Sequence, residues 1–274
     1  MNLKIVADSS ANLLTCPDVT SVAMRVCTDE TEFVDTASLD VRAMVDFLKS
    51  YKGRSSTACP GVGDWLAAFE GADTVLAITI TSELSGSYNA ACIAAEQYRE
   101  AHPGARVYVL DSRSAGPGLE LLAEKAVALS HTEEDFDSFL SALFAYQKQT
   151  NLVFSLSSLN NFARNGRVNP ALAKAVGILG LRIVGMAKDG NLHPLHKPRG
   201  DKKALSQLVS SMTELGWVGG KVRISHTYDP DLAAQMRALI LAQYPDCDVR
   251  GRNNHGLCGY YCEPGGILVA FECA

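Results

Sequence analysis

Residues 3–10, Leu-Lys-Ile-Val-Ala-Asp-Ser-Ser, form a short apolar run that ends abruptly in an acid and two hydroxyl side chains. Apolar runs at 74–79 and 106–110 have the same character, and polar residues follow each of them. Strands that are buried on both faces show this nearly continuous apolar pattern. Because helix-period stretches lie between the runs, we predict a mostly parallel sheet with helices on both faces.

The order of strand and helix patterns changes after about residue 150. A strand pattern at 151–156 is followed by a hairpin pattern around Asp189-Gly190, a pair that supplies the positive φ angles of a tight turn. Helix and strand patterns then alternate to the end. We therefore predict an α/β protein of two domains, a parallel-sheet domain at 1–150 and a mixed α/β domain at 151–274.

Composition and charge exclude several classes of protein. The chain has 274 residues, 47% of them hydrophobic, and 25 Lys+Arg against 30 Asp+Glu give a net charge of −5. This balance disfavours nucleic-acid binding, which needs clustered basic residues. No apolar stretch reaches the roughly 20 residues of a bilayer span, and the start reaches Asp8 too early for a secretory signal. We expect a cytoplasmic protein with no nucleic-acid partner and no transmembrane segment.

The eight cysteines allow two interpretations. Without a secretory signal, reduced thiols that pack as small apolar side chains are the expected state. Cys247, His255, Cys258 and Cys262 could also form a four-ligand zinc set, although their spacing matches no common zinc finger. We expect no metal, and the zinc site stays open as an alternative.

Short hydroxyl residues recur where the predicted strands end and where helices begin. Each of them alone commonly caps a helix N-terminus. The carboxyl ends of parallel strands share one edge of a sheet, so several hydroxyls there, beside helix N-termini, would cradle a carboxylate or phosphate. The candidate residues are Ser9, Ser10, Thr57, Ser85, Gly86 and Ser112.

Catalytic and nucleotide-binding motifs are absent from the sequence. It has no GxGxxG, no phosphate loop ending in Gly-Lys-Ser/Thr, no GxSxG and no His-Glu-x-x-His. A hydroxyl cradle without an evident base favours the binding of an anion over its chemical conversion. The alternative is a serine hydrolase or acyltransferase in which Ser85 is the nucleophile and His226, at the end of a strand pattern, is the base.

Five segments, in order along the chain, carry a resemblance to a known family. They are Ile5-Val6-Ala7-Asp8-Ser9-Ser10, Thr57-Ala58-Cys59-Pro60, Leu84-Ser85-Gly86-Ser87-Tyr88-Asn89-Ala90-Ala91, Arg164-Asn165-Gly166-Arg167-Val168 and His196-Lys197-Pro198-Arg199-Gly200. Together they resemble the DegV family of bacterial fatty-acid-binding proteins over almost the whole length. No single segment is decisive, and the resemblance depends on their order and spacing.

The resemblance implies a fatty acid at the junction of the two domains, with its tail in an apolar tunnel and its carboxylate on the hydroxyls of Thr57 and Ser85. A separate kinase would phosphorylate the presented carboxyl group, giving an acyl phosphate for phospholipid synthesis. The chain itself would be a non-catalytic subunit with no cofactor besides its fatty acid. Arg199 and Arg167 match basic positions assigned to the kinase or the phosphoryl group, although Arg167 could instead only stabilise its own turn.

One departure from the family pattern lies near the C-terminus. Tyr261 occupies the position where the family commonly has a histidine in the carboxylate network, and Glu263 replaces a glycine. Tyrosine donates a hydrogen bond but stays neutral until about pH 10, and a glutamate in the site would repel an anion. A different lipid, a differently held head group, a chain that the kinase does not use, and entry of His255 into the site are the alternatives.

The tail is expected to supply most of the affinity. Each buried CH₂ contributes about 0.8 kcal/mol, so a sixteen-carbon chain contributes on the order of 10 kcal/mol before ordering costs. The hydroxyls would then set its orientation. Apolar candidates for the tunnel wall, which read equally well as ordinary core, are Phe162, Ile178, Leu179, Leu181 and Ile183.

Overall fold

The computed structural model describes residues 3–133, 135–177 and 180–273. The strands are β1 (Leu3–Asp8), β2 (Val19–Val22), β3 (Arg25–Thr28), β4 (Glu32–Val34), β5 (Ser55–Ala58), β6 (Thr74–Thr79), β7 (Arg106–Asp111), β8 (Thr150–Leu156), β9 (Ile183–Lys188), β10 (Asn191–His196), β11 (Lys221–His226), β12 (Asp248–Asn253) and β13 (Ile267–Glu272). The α-helices are α1 (Val41–Ser50), α2 (Val62–Phe69), α3 (Ser87–Ala101), α4 (Pro117–Ser130), α5 (Phe136–Lys148), α6 (Asn160–Arg164), α7 (Pro170–Gly177), α8 (Asp201–Glu214), α9 (Pro230–Gln243) and α10 (Gly256–Cys262).

The first sheet is parallel throughout, in the order β2-β1-β6-β7. Side chains alternate between its faces, so Val6 and Val75 pack with α2 and α3 on one side. Ile5 and Leu76 point the other way and pack with α4 and α5. Burial on both faces explains the continuous apolar runs, and the predicted parallel sheet with helices on both sides is confirmed.

A second, three-stranded antiparallel sheet has the order β4-β3-β5. This sheet was not predicted, because its strands are short and β5 reads Ser-Ser-Thr-Ala, a composition typical of loops. Pairing with β3 holds β5 extended, which turns Ser55 and Thr57 toward the same face. This sheet brings Thr57 to the candidate site described below.

The third sheet has six strands in the order β10-β9-β8-β13-β11-β12 and is mixed, with only β11 and β12 parallel. The predicted hairpin joins β9 to β10, with φ of 50° at Asp189 and 80° at Gly190. One face packs on α8 and α9, while the other shares a core with α4 and the first sheet. The mixed α/β character predicted for the second half is therefore confirmed.

The sheets divide near residue 150, since the strands of the six-stranded sheet begin at Thr150. The proposed domain bounds remain predictions, and α10 crosses the division because Tyr260 packs with Val26 and Met44. In the described part of the chain, no helix combines the length and apolarity needed to span a membrane.

Helix α4 carries two carboxylates, Glu120 and Glu124, toward β11 and β12. Arg223 is fully buried and donates hydrogen bonds to Glu124 and Asp248. Glu120, one helical turn earlier, is 1% exposed and pairs with Arg252. Burial raises the pKa of Glu120 to about 7, against the opposing attraction of Arg252.

We predict that Glu120→Gln changes the pH dependence of stability. A carboxyl whose pKa is higher in the folded state stabilises fully below about pH 4.5, and that contribution is lost as the pH rises through about 7. The glutamine variant lacks this loss, so between pH 5 and pH 8 its free energy of unfolding should gain about 2 kcal/mol relative to the parent. Urea unfolding of both proteins at pH 5 and pH 8 measures their free energies of unfolding. If the free energy changes by the same amount between the two pH values in both proteins, the prediction is wrong.

Candidate functional site

A cavity of about 290 Å³ lies between the two N-terminal sheets and the six-stranded sheet. Its floor is apolar because Leu152, Phe154 and Leu156 alternate along β8 and so share one face. Met24 and Ile80 contribute from the N-terminal half. The lining therefore joins residues from both halves of the chain.

One end of this cavity is polar. Thr57 Oγ1 and Tyr261 Oη are 2.8 Å apart, and Ser85, Gly86 and Arg167 also line the cavity. These residues come from β5, from α10, from the loop before α3 and from the loop after α6. The structure thus brings together five of the residues that the sequence analysis named.

The N-terminus of α3 begins at this polar end. Gly86 is its N-cap residue, and Ser85 Oγ accepts a hydrogen bond from the backbone N–H of Ser87 at 3.2 Å. A Cβ on Gly86 would lie 3.3 Å from Cys59 Sγ, a tight contact that Cys59 would have to relieve by a small shift. The partial positive charge of the helix N-terminus and the two hydroxyls of Ser85 and Thr57 suit an anionic group.

Tyr261 acts here as a neutral polar group. Burial raises the pKa of its phenol, and the hydrogen bond with Thr57 opposes that rise. Its ring packs on Phe162 with centroids 4.7 Å apart. A neutral phenol can donate a hydrogen bond to a carboxylate, so Tyr261 supplies a donor at this end of the cavity.

Tyr260 fixes the position of its neighbour. Its Oη lies 2.8 Å from Ser55 Oγ and accepts a hydrogen bond from Asn165 Nδ2 at 2.9 Å. Ser55 and Thr57 share a face of β5, so α10 is joined to this strand at two successive tyrosines. Ser55 and Tyr260 were not among the residues predicted for the site, and their only signal in the sequence was their spacing from Thr57 and Tyr261.

Three predicted hydroxyl residues do not line the cavity. Ser9 donates to Asp35 Oδ2 at 2.8 Å, and Ser10 donates to Asp8. Ser112 makes its hydrogen bonds to the backbone of the adjacent turn. The reason for the correction is that buried carboxylates need donors, and Ser9 and Ser10 supply them.

Glu263 and His255, two residues that could have entered the site, lie outside the cavity, and so does the predicted partner residue Arg199. Glu263 does not point into the cavity, because its carboxylate accepts from Ser158 Oγ and from the backbone N–H of Asn161. His255 contacts Asp35 instead of entering the cavity. Arg199 is exposed and does not line the cavity, so its contact with a partner stays a prediction.

The apolar residues proposed for the tunnel wall do not all lie at the cavity. Phe162 lines the cavity, and Ile183 lines a smaller neighbouring pocket of about 150 Å³. Leu181 lines neither pocket. Ile178 and Leu179 lie outside the described residues.

The hydrolase alternative lacks its catalytic pair. His226 Nδ1 accepts a hydrogen bond from the backbone of Asp229, and burial lowers the pKa of this imidazole. Among the described residues, the partner of Ser85 Oγ is the Ser87 backbone, and His226 does not line the cavity. The geometry therefore does not support Ser85 as an activated nucleophile.

The geometry of the described residues does not support the zinc alternative either. Within residues 3–133, 135–177 and 180–273, no group of three or more His, Cys, Asp or Glu side chains is placed to hold a metal ion. Cys258 and Cys262 lie buried in the cavity wall. Burial raises the pKa of both thiols, that of Cys262 to about 12, which keeps them protonated.

The β9–β10 turn closes one side of the cavity, a contact that the sequence analysis missed although it predicted the turn. Thr81 Oγ1 donates to the Gly190 carbonyl at 3.0 Å, and Gly190 and Asn191 both line the cavity. Arg167 Nε donates to the Leu84 carbonyl nearby. Two segments of the second half are thus attached to the loop after β6.

We predict that Gly190→Ala destabilises the fold by about 2 kcal/mol. The residue has φ of 80°, and a Cβ there would lie 2.3 Å from Thr81 Oγ1, so the variant has both backbone strain and a clash. Gly71→Ala is the matched control, because Gly71 has φ of 76° with nothing within 4 Å of the added carbon. Its cost should be about 1 kcal/mol. Equal losses for the two variants in urea unfolding would show that the Thr81 contact is unimportant.

Proteins of one known family are similar to this chain in sequence and in fold. A family model described as "Uncharacterised protein, DegV family" matches residues 2–272. A DegV domain-containing protein of Streptococcus pneumoniae is 35% identical over 99% of each chain. A DegV family protein from Eubacterium eligens, loaded with heptadecanoic acid, is 39% identical over 99% of this chain and 100% of that one, with a TM-score of 0.96. The Fatty Acid Kinase (Fak) B3 protein of S. pneumoniae, loaded with linoleic acid, is 34% identical over 100% of both chains, with a TM-score of 0.97.

The fold and the cavity define a class of α/β proteins in which a parallel and a mixed sheet enclose an apolar cavity with one hydroxyl-rich end. The family match over nearly the whole length then identifies the group within that class. The chain belongs to the DegV family.

Proposed function

We propose that this chain binds a long-chain fatty acid in the cavity, with the carboxylate at Thr57, Ser85 and Gly86 and the tail along the apolar face of β8. One observation carries the proposal: a mostly apolar cavity has the hydroxyls of Thr57 and Ser85 and the N-terminus of α3 together at one end. An amphipathic anion with a long apolar tail matches that distribution. The fatty acids in the E. eligens and S. pneumoniae relatives support the same ligand class.

Mass spectrometry of lipid extracted from the purified protein tests the proposal. About one fatty acid per chain is expected, and returning the acid to delipidated protein at 100 times Kd should stabilise it by about 2.7 kcal/mol. The methyl ester of the same acid keeps the tail but removes the anion, so it should bind more weakly. A chain that purifies empty and gains no stability from added acid would refute the proposal.

We further propose that the chain is a non-catalytic subunit that presents the acid to a separate kinase for acyl phosphate formation. The name of the S. pneumoniae relative supports a kinase partner. No cofactor besides the fatty acid is needed for this role, because the kinase supplies the phosphoryl chemistry. A cytoplasmic location remains a prediction.

Arg199→Ala tests presentation separately from binding. Arg199 is exposed and does not line the cavity, so we expect unchanged fatty-acid affinity but acyl phosphate formation by an added fatty acid kinase about tenfold slower. Arg237→Ala, at an exposed position on α9, is the control and should leave the rate unchanged. Equal rates for both variants would remove Arg199 from the partner surface.

A further inference from the structure

A second cavity, of about 690 Å³, lies beside the first. The two cavities share three lining residues, Ser114, Leu152 and Ala187. Its remaining wall mixes polar groups with aromatic ones, including Tyr108 and Phe144, whose ring centroids are 5.3 Å apart. These three residues therefore belong to the walls of both cavities.

The shared wall lies away from the hydroxyl-rich end. The residues at that end do not line the second cavity. This set consists of Thr57, Ser85, Gly86, Arg167 and Tyr261. At one end of the β8 row, Leu156 leads into α6, which carries the ring of Phe162 against Tyr261. Leu152 is at the other end, about 13 Å away at roughly 3.3 Å per residue.

Leu152 dominates the shared wall. Val153 pairs with Met186, so Leu152 and Ala187 lie side by side on adjacent strands. Ser114 approaches from the turn after β7. Of these three side chains only Leu152 is large, and it is 5% exposed.

We propose that Leu152, backed by Ala187 and Ser114, forms the end wall that sets the longest acyl chain the protein accepts, with the second cavity as the space beyond it. This inference rests on the proposed function. It assigns to Leu152 the selection of fatty acids by chain length. A tail that starts at Thr57 and Ser85 and follows β8 meets Leu152 last. A longer tail must displace this side chain to reach the apolar rings of Tyr108 and Phe144.

Leu152→Ala tests the wall directly. The substitution removes three carbon atoms, room for about two methylenes, and each buried methylene changes affinity about fourfold. Consider the acid that is two carbons longer than the longest one the parent binds well. This acid should bind the variant about tenfold more tightly than it binds the parent. Calorimetric titration of delipidated proteins with saturated acids that differ by two carbons measures this shift.

Two further variants complete the experiment. Leu156→Ala makes the same change on the same strand and face but at the opposite end, so it should weaken binding without changing the preferred length. Ala187→Leu adds bulk to the shared wall and should move the preference about two carbons shorter, giving an answer even where Leu152→Ala does not fold. An unchanged length preference in every folded wall variant would overturn the inference. Failure of the parent to bind any fatty acid would instead overturn the proposed function, and the wall with it.

Discussion

Fatty-acid affinity should fall about 100- to 1,000-fold in the Thr57→Val, Ser85→Ala double variant. A hydrogen bond to a charged group contributes about 1.5–3 kcal/mol, so each lost hydroxyl should cost about tenfold or more. The tail contacts remain, which means that binding is weakened but not abolished. Competition with a fluorescent fatty acid measures the affinities, and circular dichroism establishes that the variant is folded.

The control for this experiment is Ser82→Ala. Ser82 lies three residues before Ser85 in the same loop, but its hydroxyl donates to Asp111 and it does not line the cavity. Its loss should change affinity less than twofold. If the double variant and the control bind equally well, the head group is not held by Thr57 and Ser85.

Asp35→Ala should destabilise the fold by about 4 kcal/mol. Asp35 is 1% exposed, and its carboxylate accepts from the backbone N–H groups of Gly256 and Leu257 and from Ser9 Oγ, with His255 also in contact. Removing one partner of a buried charged network leaves the others unsatisfied, which costs about 3–5 kcal/mol. The first turn of α10, the helix that carries Tyr261, would lose its acceptor.

Thermal unfolding should show a fall in Tm of about 10 °C for this variant. Asp46→Ala is the matched control, because Asp46 forms an exposed i,i+4 ion pair with Arg42 on α1. Such pairs contribute at most about 1 kcal/mol. Similar small losses in both variants would show that Asp35 does not hold α10 in place.

The parts of the fold that were predicted share a physical cause. The strands β1 and β6 are buried on both faces, so their apolar runs identify them without knowledge of their partners. The hairpin was equally readable because Asp189-Gly190 fits a turn that few other pairs can form. In both cases the deciding interactions are local or nonspecific.

The missed elements depend on pairing. Strand β12 reads Asp-Val-Arg-Gly-Arg-Asn and β5 reads Ser-Ser-Thr-Ala, and both are extended because a neighbouring strand bonds to them. Helix α10 reads Gly-Leu-Cys-Gly-Tyr-Tyr-Cys, a weak helix former, and depends on Asp35 for its first turn. Tertiary context overrode local preference in all three.

The amino-acid sequence alone determined the alternation of strands and helices, the family resemblance and the set of hydroxyl residues from which a site could form. Only the tertiary structure decided which of those hydroxyls face the ligand: Thr57 and Ser85 line the cavity, whereas Ser9 and Ser10 bond to buried carboxylates. The reason is that a hydroxyl takes whichever partner the fold brings within about 3 Å, and for Ser9 and Thr57 that partner is remote in the chain. Thr57 and Tyr261 are 204 residues apart, a separation over which local patterns carry no information.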